Sequence, residues 1–336
     1  MTRMSVRFSS ALALFALSLP IFAAAAQQQP LPKAPAASAG TPSEPAPAAE
    51  PVFPKTNPAD FTAAAPTKAL VNAFLQDLWG FDEDRIWQVQ AIQKTQAEGV
   101  SKVIILVADK NGKQKPSLVE FFALPDGKHI IAQNDILPFG EHPYAEARAQ
   151  LQQRADGPYR GSALKDLELV EFADFQCPHC KEAQANMDKL AVDFPKARIV
   201  FETFPLPQHP EAERAAAYGA CVTKLGGSDA FFSFASAVFD GQAGLDTADG
   251  ATLTLNSSVA HAGLDPVKVA ACASEPATKA AVEAPVILAR DLGIHQTPTL
   301  MVNGRPVPAN APYPTLKKLI QYQARLDGVS QDAPAN

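Results

Sequence analysis

Cysteine is scarce in this chain: four in 336 residues. So low a count excludes a miniature fold held together by dense disulfides. Neither charge dominates, since 29 basic residues stand interspersed with 35 acidic ones for a net charge of -6. There is no basic stripe to track a nucleic acid and no acidic block to buffer metal ions. The apolar stretch at 11–22 is short for a membrane span, and Pro20 interrupts it. No internal repeat is visible. The chain is long enough for two domains, its cysteine count is even, and two of its cysteines lie three positions apart.

The first 26 residues read as a secretion signal. Arg3 and Arg7 give a charged start, the apolar stretch follows, and Ala24-Ala25-Ala26 offers small residues for cleavage. The alternative is an uncleaved anchor. No cysteine stands near the cleavage site, which argues against a lipid-anchored form. Export, to the periplasm or outside the cell, puts the thiols where disulfides form and persist. Residues 27–58 are rich in Pro and Ala and hold few large apolar side chains, so they read as a disordered linker.

Ordered sequence begins near Pro66. Leu70, Val71, Phe74, Leu75 and Leu78 recur at helical spacing, and Gly80 ends the run. Four strands are expected after it, at 87–92, 100–108, 118–124 and 128–133, with Asn111-Gly112 and Asp126-Gly127 as turn signals. One helix followed by a meander makes a small α+β domain at 59–143. A connecting helix is expected at 144–156, closed by Gly157-Pro158. The second domain, 157–327, reads as strand 167–175, a helix from Cys177, strand 197–204, helices from 211 to about 275, a helix at 277–292, a hairpin about Gly304, and a last helix at 314–326. The helical block is an insertion at about 209–275, and 328–336 is a disordered tail.

Cys177-Pro178-His179-Cys180 follows the apolar run Leu167 to Phe175 directly. A helix starting there puts the first thiol at a helix N-terminus, where partial positive charge favours thiolate. The second thiol, one turn on, can close a disulfide with the first, as dithiol–disulfide exchange requires. The rival readings are a structural disulfide or half of a zinc site. Cys221 and Cys272 do not complete a zinc site, since they are far apart in sequence and neither has a His at ligand spacing. Both fall in the helical insertion and are expected to form a structural bridge, with a second redox couple as the alternative. His295 and His209 read as solvated loop residues. No cofactor and no metal is expected.

The order strand, helix, strand, helical insertion, helix, hairpin, helix, with Glu171-Phe172-x-x-Phe175-x-Cys177-Pro178-His179-Cys180, Thr297-Pro298 and Val302-Asn303-Gly304, resembles the DsbA-like branch of the thioredoxin superfamily. The resemblance covers roughly residues 160–327. It implies an α/β thioredoxin fold with a helical insertion, here preceded by the small α+β domain. It also implies Cys177 as a nucleophile of lowered pKa and Cys180 as the resolving thiol, with Pro178 and His179 tuning the pair. Glu171 corresponds to an acid buried under the second thiol that helps move its proton. Thr297-Pro298 corresponds to a cis-proline loop facing the thiols, with backbone free to pair with a bound peptide. The N-terminal domain is similar to the dimerisation domain of DsbC and DsbG-type isomerases.

The function expected is an exported thiol–disulfide oxidoreductase that donates its Cys177–Cys180 disulfide to thiols of other exported proteins. A membrane redox partner would reset the couple, no nucleic acid is involved, and a homodimer through the N-terminal domain is possible. A dimeric isomerase or reductase is the first alternative, and a peptide-binding chaperone with an incidental CxxC is the second.

Overall fold

Helix α1 (Lys68–Trp79) begins where the Thr67 side chain accepts the Leu70 N–H at 3.1 Å, and it ends at Gly80. That hydroxyl satisfies one of the amides a helix start leaves without a partner. Val71, Phe74 and Leu75 form its buried stripe. The stripe covers one face of an antiparallel sheet in sequential order, β1 (Arg85–Lys94), β2 (Ser101–Asp109), β3 (Ser117–Ala123), β4 (His129–Ala132) and β5 (Asp135–Pro138). A bulge at Val89/Ala91 shifts the β1–β2 register. The sequence pattern predicts four strands here, and the sheet has five. The fifth, β5, has no buried residue and carries no alternation to reveal it.

The computed structural model describes residues 53–111 and 115–329. The expected signal at 1–26, most of the expected linker, Gly112 of the first turn signal and most of the expected tail lie outside the described residues.

A second sheet runs β10-β9-β7-β8-β6, from β6 (Tyr159–Gly161), β7 (Glu168–Ala173), β8 (Arg198–Thr203), β9 (Thr299–Val302) and β10 (Arg305–Pro308). Strands β7 and β8 are parallel, and the other pairs are antiparallel. Strand β6 extends the β8 edge; it has three residues, too few for a pattern to announce it. Apolar residues alternate between the two faces of this sheet, as the period of two requires. Leu169, Ile199, Leu300 and Val302 pack with α3 (Pro178–Asp193) and α8 (Tyr313–Leu326) through Met187, Leu190, Leu316 and Ile320. Val170, Phe172, Val200 and Met301 face Leu151 of α2 (Ala145–Arg154) and Leu288 of α7 (Pro276–Asp291). The expected connecting helix, α2, thus helps to cover this sheet.

Helices α4 (Ala212–Asp240), α5 (Ala248–His261) and α6 (Pro266–Ala273) form the expected helical insertion around Phe175, Phe201, Phe231 and Phe234. Helix α4 breaks at Gly227, whose φ of 76° no helix contains. Cys221 in α4 and Cys272 in α6 are joined by a disulfide. Asn303 and Gly304 turn the β9–β10 hairpin with φ of 45° and 90°, and Asn303 also accepts the Glu168 N–H at 2.7 Å.

Arg305 of β10 reaches the C-terminal part of α1. Its guanidinium donates to the Asp77 carboxylate at 2.5 Å, to the Asp77 carbonyl at 2.6 Å and to Gln323 at 2.8 Å. It also lies over the Tyr144 ring, 4.6 Å from the centroid. Tyr322 of α8 donates to the carbonyl of Gln76. The helix of the first sheet is therefore tied to the hairpin and last helix of the second by buried polar contacts.

Candidate active site

Strand β7 ends at Ala173, and three loop residues bring the chain to Cys177, the N-cap of α3. Pro178 occupies N1, where a missing N–H costs no hydrogen bond. The Cys180 N–H bonds to the Cys177 carbonyl at 3.1 Å and closes the first turn. Both cysteines are free thiols. Both are also buried, with Cys177 5 % exposed and Cys180 fully enclosed.

The two sulfurs have opposite electrostatics. The Cys177 thiol is lowered from its ordinary 9.0 to about 5, chiefly by a hydrogen bond from the Cys180 thiol. Burial opposes the change, while Thr297 and the first-turn amides of Cys180 and His179 add to it. The Cys180 thiol is pushed up instead, first by burial and then by its bond to the first sulfur. Low dielectric raises any acid it cannot solvate, and only the sulfur with convergent donors escapes this.

Thr297-Pro298 is a cis peptide, and the Thr297 carbonyl lies 3.8 Å from the Cys177 sulfur. Thr297 is therefore beside the first thiol. His179 is not aimed at it: its imidazole side chain is 65 % exposed and pairs with Glu182 at 3.0 Å. That pairing raises its pKa, with the Cys177 charge a lesser cause. Within the turn, His179 acts on the sulfur through its backbone amide.

Glu171 is 2 % exposed and held near pH 8 by burial, against the pull of Arg160 and a bond from Gln184. Gln184 connects it to the thiols: its Nε2 donates to the Glu171 carboxylate and to the Cys180 carbonyl, both at 3.1 Å. The contact runs through the turn that carries Cys180 and not to its sulfur.

The loop before Cys177 is held by residues the sequence reading missed. Gln242 donates to the carbonyls of Phe175 at 2.8 Å and Cys177 at 3.0 Å. Gln176 accepts the Glu211 N–H at 2.9 Å. Asp174 is buried, and His209 pairs with its carboxylate at 2.7 Å. This corrects the expectation of a solvated His209, whereas His295 is exposed. Asp174 left a local signal, for its carboxylate accepts the N–H two residues on, at 2.7 Å, as turn-forming Asp residues do. His209 left none, because its partner is 35 residues away. Cys221 and Cys272 lie in the helical core beside the Thr278 hydroxyl, which is 3.4 Å from the Cys221 sulfur. Among the described residues no His, Cys, Asp and Glu group could hold a metal ion.

Residues 154–322, half of the chain, match the protein-family model described as thioredoxin. The chain belongs to the thioredoxin family. Two curated relatives of this thioredoxin-family chain are sodium/proton antiporters. Antiporter NhaA of Herminiimonas arsenicoxydans is 31% identical over 146 residues, 44% of this chain and 22% of that protein. NhaA 3 of Salinispora tropica is 40% identical over 58 residues, 17% of this chain and 9% of that protein. The chain thus spans less than a quarter of the length of these relatives.

Similar solved structures include a thioredoxin-like oxidoreductase from Silicibacter pomeroyi, 23% identical, covering 53% of this chain and 98% of that one with a TM-score of 0.44. The thiol-disulfide exchange protein alpha-DsbA2 from Wolbachia pipientis is 21% identical over 53% and 96% of the two chains, TM-score 0.45. DsbA2 from Pseudomonas aeruginosa is 25% identical over 50% and 94%, TM-score 0.41.

Chemically, the thioredoxin-family site can pass a disulfide in either direction. A stabilised thiolate on Cys177 is a good leaving group and an available nucleophile at neutral pH. The enclosed Cys180, close enough to bond it, can close the ring.

Proposed function

We propose that the chain is an exported thiol–disulfide oxidoreductase that works chiefly as a disulfide donor, in the manner of the DsbA-like branch its sequence resembles. The observation that carries this reading is the contrast between the sulfurs, Cys177 near pH 5 and Cys180 pushed far up. Stabilising one thiolate stabilises the reduced protein, which makes the disulfide form the better oxidant. A substrate thiolate attacks Cys177, the Cys177–Cys180 bond breaks, and Cys180 takes up a proton. The second substrate thiolate then attacks its own mixed-disulfide sulfur and expels Cys177 as thiolate. Two substrate thiols become one disulfide, and the protein keeps the two electrons until a membrane redox partner removes them. Substrates would be exported proteins, met in the periplasm or outside the cell.

Reduced unfolded ribonuclease tests the direction. Oxidised protein should restore ribonuclease activity stoichiometrically. With scrambled ribonuclease, whose disulfides a thiolate can attack, Cys180→Ser should collect covalent adducts that Cys177→Ser does not. Equal adducts from both variants, or no oxidation above buffer, would end the proposal.

A dimeric isomerase is the second reading, favoured by the outer face of the first sheet. Phe122, Ile131 and Ile136 are successive cross-strand partners there, and Leu106–Leu118 is a second apolar pair, set apart on β3 by Glu120 with its ion-pair partner Lys102. Leu118 and Ile136 are each 60 % exposed. Residues 59–143 would then act as a dimerising domain. A monomer by light scattering at micromolar concentration, or no activity on scrambled ribonuclease, would remove this reading.

A further inference from the structure

We propose that Asp174 and His209 are a positioning pair that aims one backbone amide at the sulfur of Cys180, the group that carries charge when the disulfide opens. The proposal rests on the disulfide-exchange reading above. Asp174 touches both cysteines through its backbone. Its N–H faces the Cys180 sulfur at 3.4 Å, and its carbonyl accepts the Cys177 N–H at 3.1 Å. Its carboxylate is fully enclosed. One oxygen accepts the Gln176 N–H at 2.7 Å; the other accepts the Leu206 N–H at 2.8 Å and meets His209 Nδ1 at 2.7 Å.

A buried carboxylate is costly unless its lone pairs are filled, so these partners hold the rotation of the loop. That rotation decides where the Asp174 amide points. His209 stands on the stretch leading into the helical insertion, so the insertion side of the molecule reaches back to the thiols through this pair.

The amide matters because Cys180 has no access to water. In the forward step a substrate thiolate forms a bond to Cys177, and the Cys177–Cys180 electron pair leaves on the Cys180 sulfur. In the reverse step the same sulfur attacks the mixed disulfide as thiolate. Both transition states place partial negative charge on an enclosed sulfur, where a preoriented donor acts without solvent competition. The Asp174 amide favours the charged form of Cys180, against the larger penalty of burial.

Glutathione supplies the test, since it opens an accessible disulfide whether or not the protein has a physiological substrate. Oxidised full-length protein is mixed with excess glutathione, quenched in acid, and the loss of the internal disulfide followed by mass. In parallel, thiolate absorbance of the reduced protein gives the titration midpoint of Cys177. His209→Leu should slow opening about tenfold, the loss expected for one misaligned bond to a charged acceptor, with the Cys177 midpoint unmoved. His209→Asn keeps an N–H near the place of Nδ1 and should recover to within about threefold of the native rate. A native rate in His209→Leu overturns the proposal. So does equal slowing in both variants, or a Cys177 midpoint that moves in step with the rate, since either describes a merely loosened site. If the native protein opens with glutathione but does not oxidise ribonuclease, the functional reading falls and the pair is still tested.

Discussion

The lowered thiol of Cys177 predicts how the reduction potential depends on pH. The oxidised protein has no thiol to titrate at this couple, so the linkage belongs to the reduced form. Its Cys177 thiol lies at about 5 instead of 9.0. The thiolate therefore stabilises the reduced protein as pH rises from about 5 towards 9, and that stabilisation is lost as pH falls through about 5. Each pH step within this window adds about 1.36 kcal/mol, so roughly 2.7 kcal/mol is present at pH 7. For a two-electron couple this makes the protein about 60 mV more oxidising than one with an unperturbed thiol. Because Cys180 stays protonated, reduction above pH 5 takes up one proton with two electrons. The potential should then fall by about 30 mV per pH unit, against about 59 mV below the break, where two protons enter. Equilibration against glutathione buffers, read by alkylation and gel shift, measures the slope. Thr297→Val removes the side-chain hydroxyl beside Cys177, one of the lesser causes of its lowered thiol, so it should move the break upward and lower the potential at pH 7 by about 30 mV for each pH unit of that move. A uniform slope near 59 mV across the range would refute the thiolate argument. A break that moves while the potential at pH 7 stays fixed would separate thiolate stabilisation from redox poise.

Three further outcomes follow from the buried groups. Asp77→Ala leaves the Arg305 guanidinium buried without its carboxylate and should cost about 3 kcal/mol in urea melts. Gln323 and two carbonyls still bind Arg305, which keeps the loss at the low end, and less than about 1 kcal/mol would show the pair to be immaterial. Glu171 is raised from 4.5 to about 8, so the native state holds a proton there that the unfolded state releases, and stability should fall with rising pH across that window. Glu171→Gln should match the native protein near the acid end and exceed its stability at about pH 8, while parallel melts at both ends would contradict a buried neutral acid. Replacing Cys221 and Cys272 by Ala opens a loop of 51 residues and should cost up to roughly 4 kcal/mol. Glutathione reactivity of the Cys177–Cys180 couple should survive that change, and its loss would tie the bridge to the exchange chemistry.

Short-range pattern was enough to read the framework. Apolar spacing placed α1, α3, α7 and α8 within one or two residues, and it placed the strands of both sheets except β5 and β6. Cys177 stood at a helix start because Pro178 and the apolar run before it left little alternative, and three residues put Cys180 one turn on. These features depend on neighbours a few positions apart, which the chain carries in its own order. Tertiary structure decided where water goes, and with it the chemistry. Glu171 could have faced solvent from an alternating strand; the packing of α3 across β7 encloses it and raises its pKa. His179, next to Cys177 in sequence, turns outward to Glu182, and its backbone rather than its ring serves the sulfur. His209 meets Asp174 from 35 residues away, and Arg305 meets Asp77 across 228. Desolvation and charge pairing are set by whatever the folded chain brings within a few ångströms. Spacing along the sequence carries no record of that, so the same dithiol motif is compatible with several redox poises until its surroundings are folded around it.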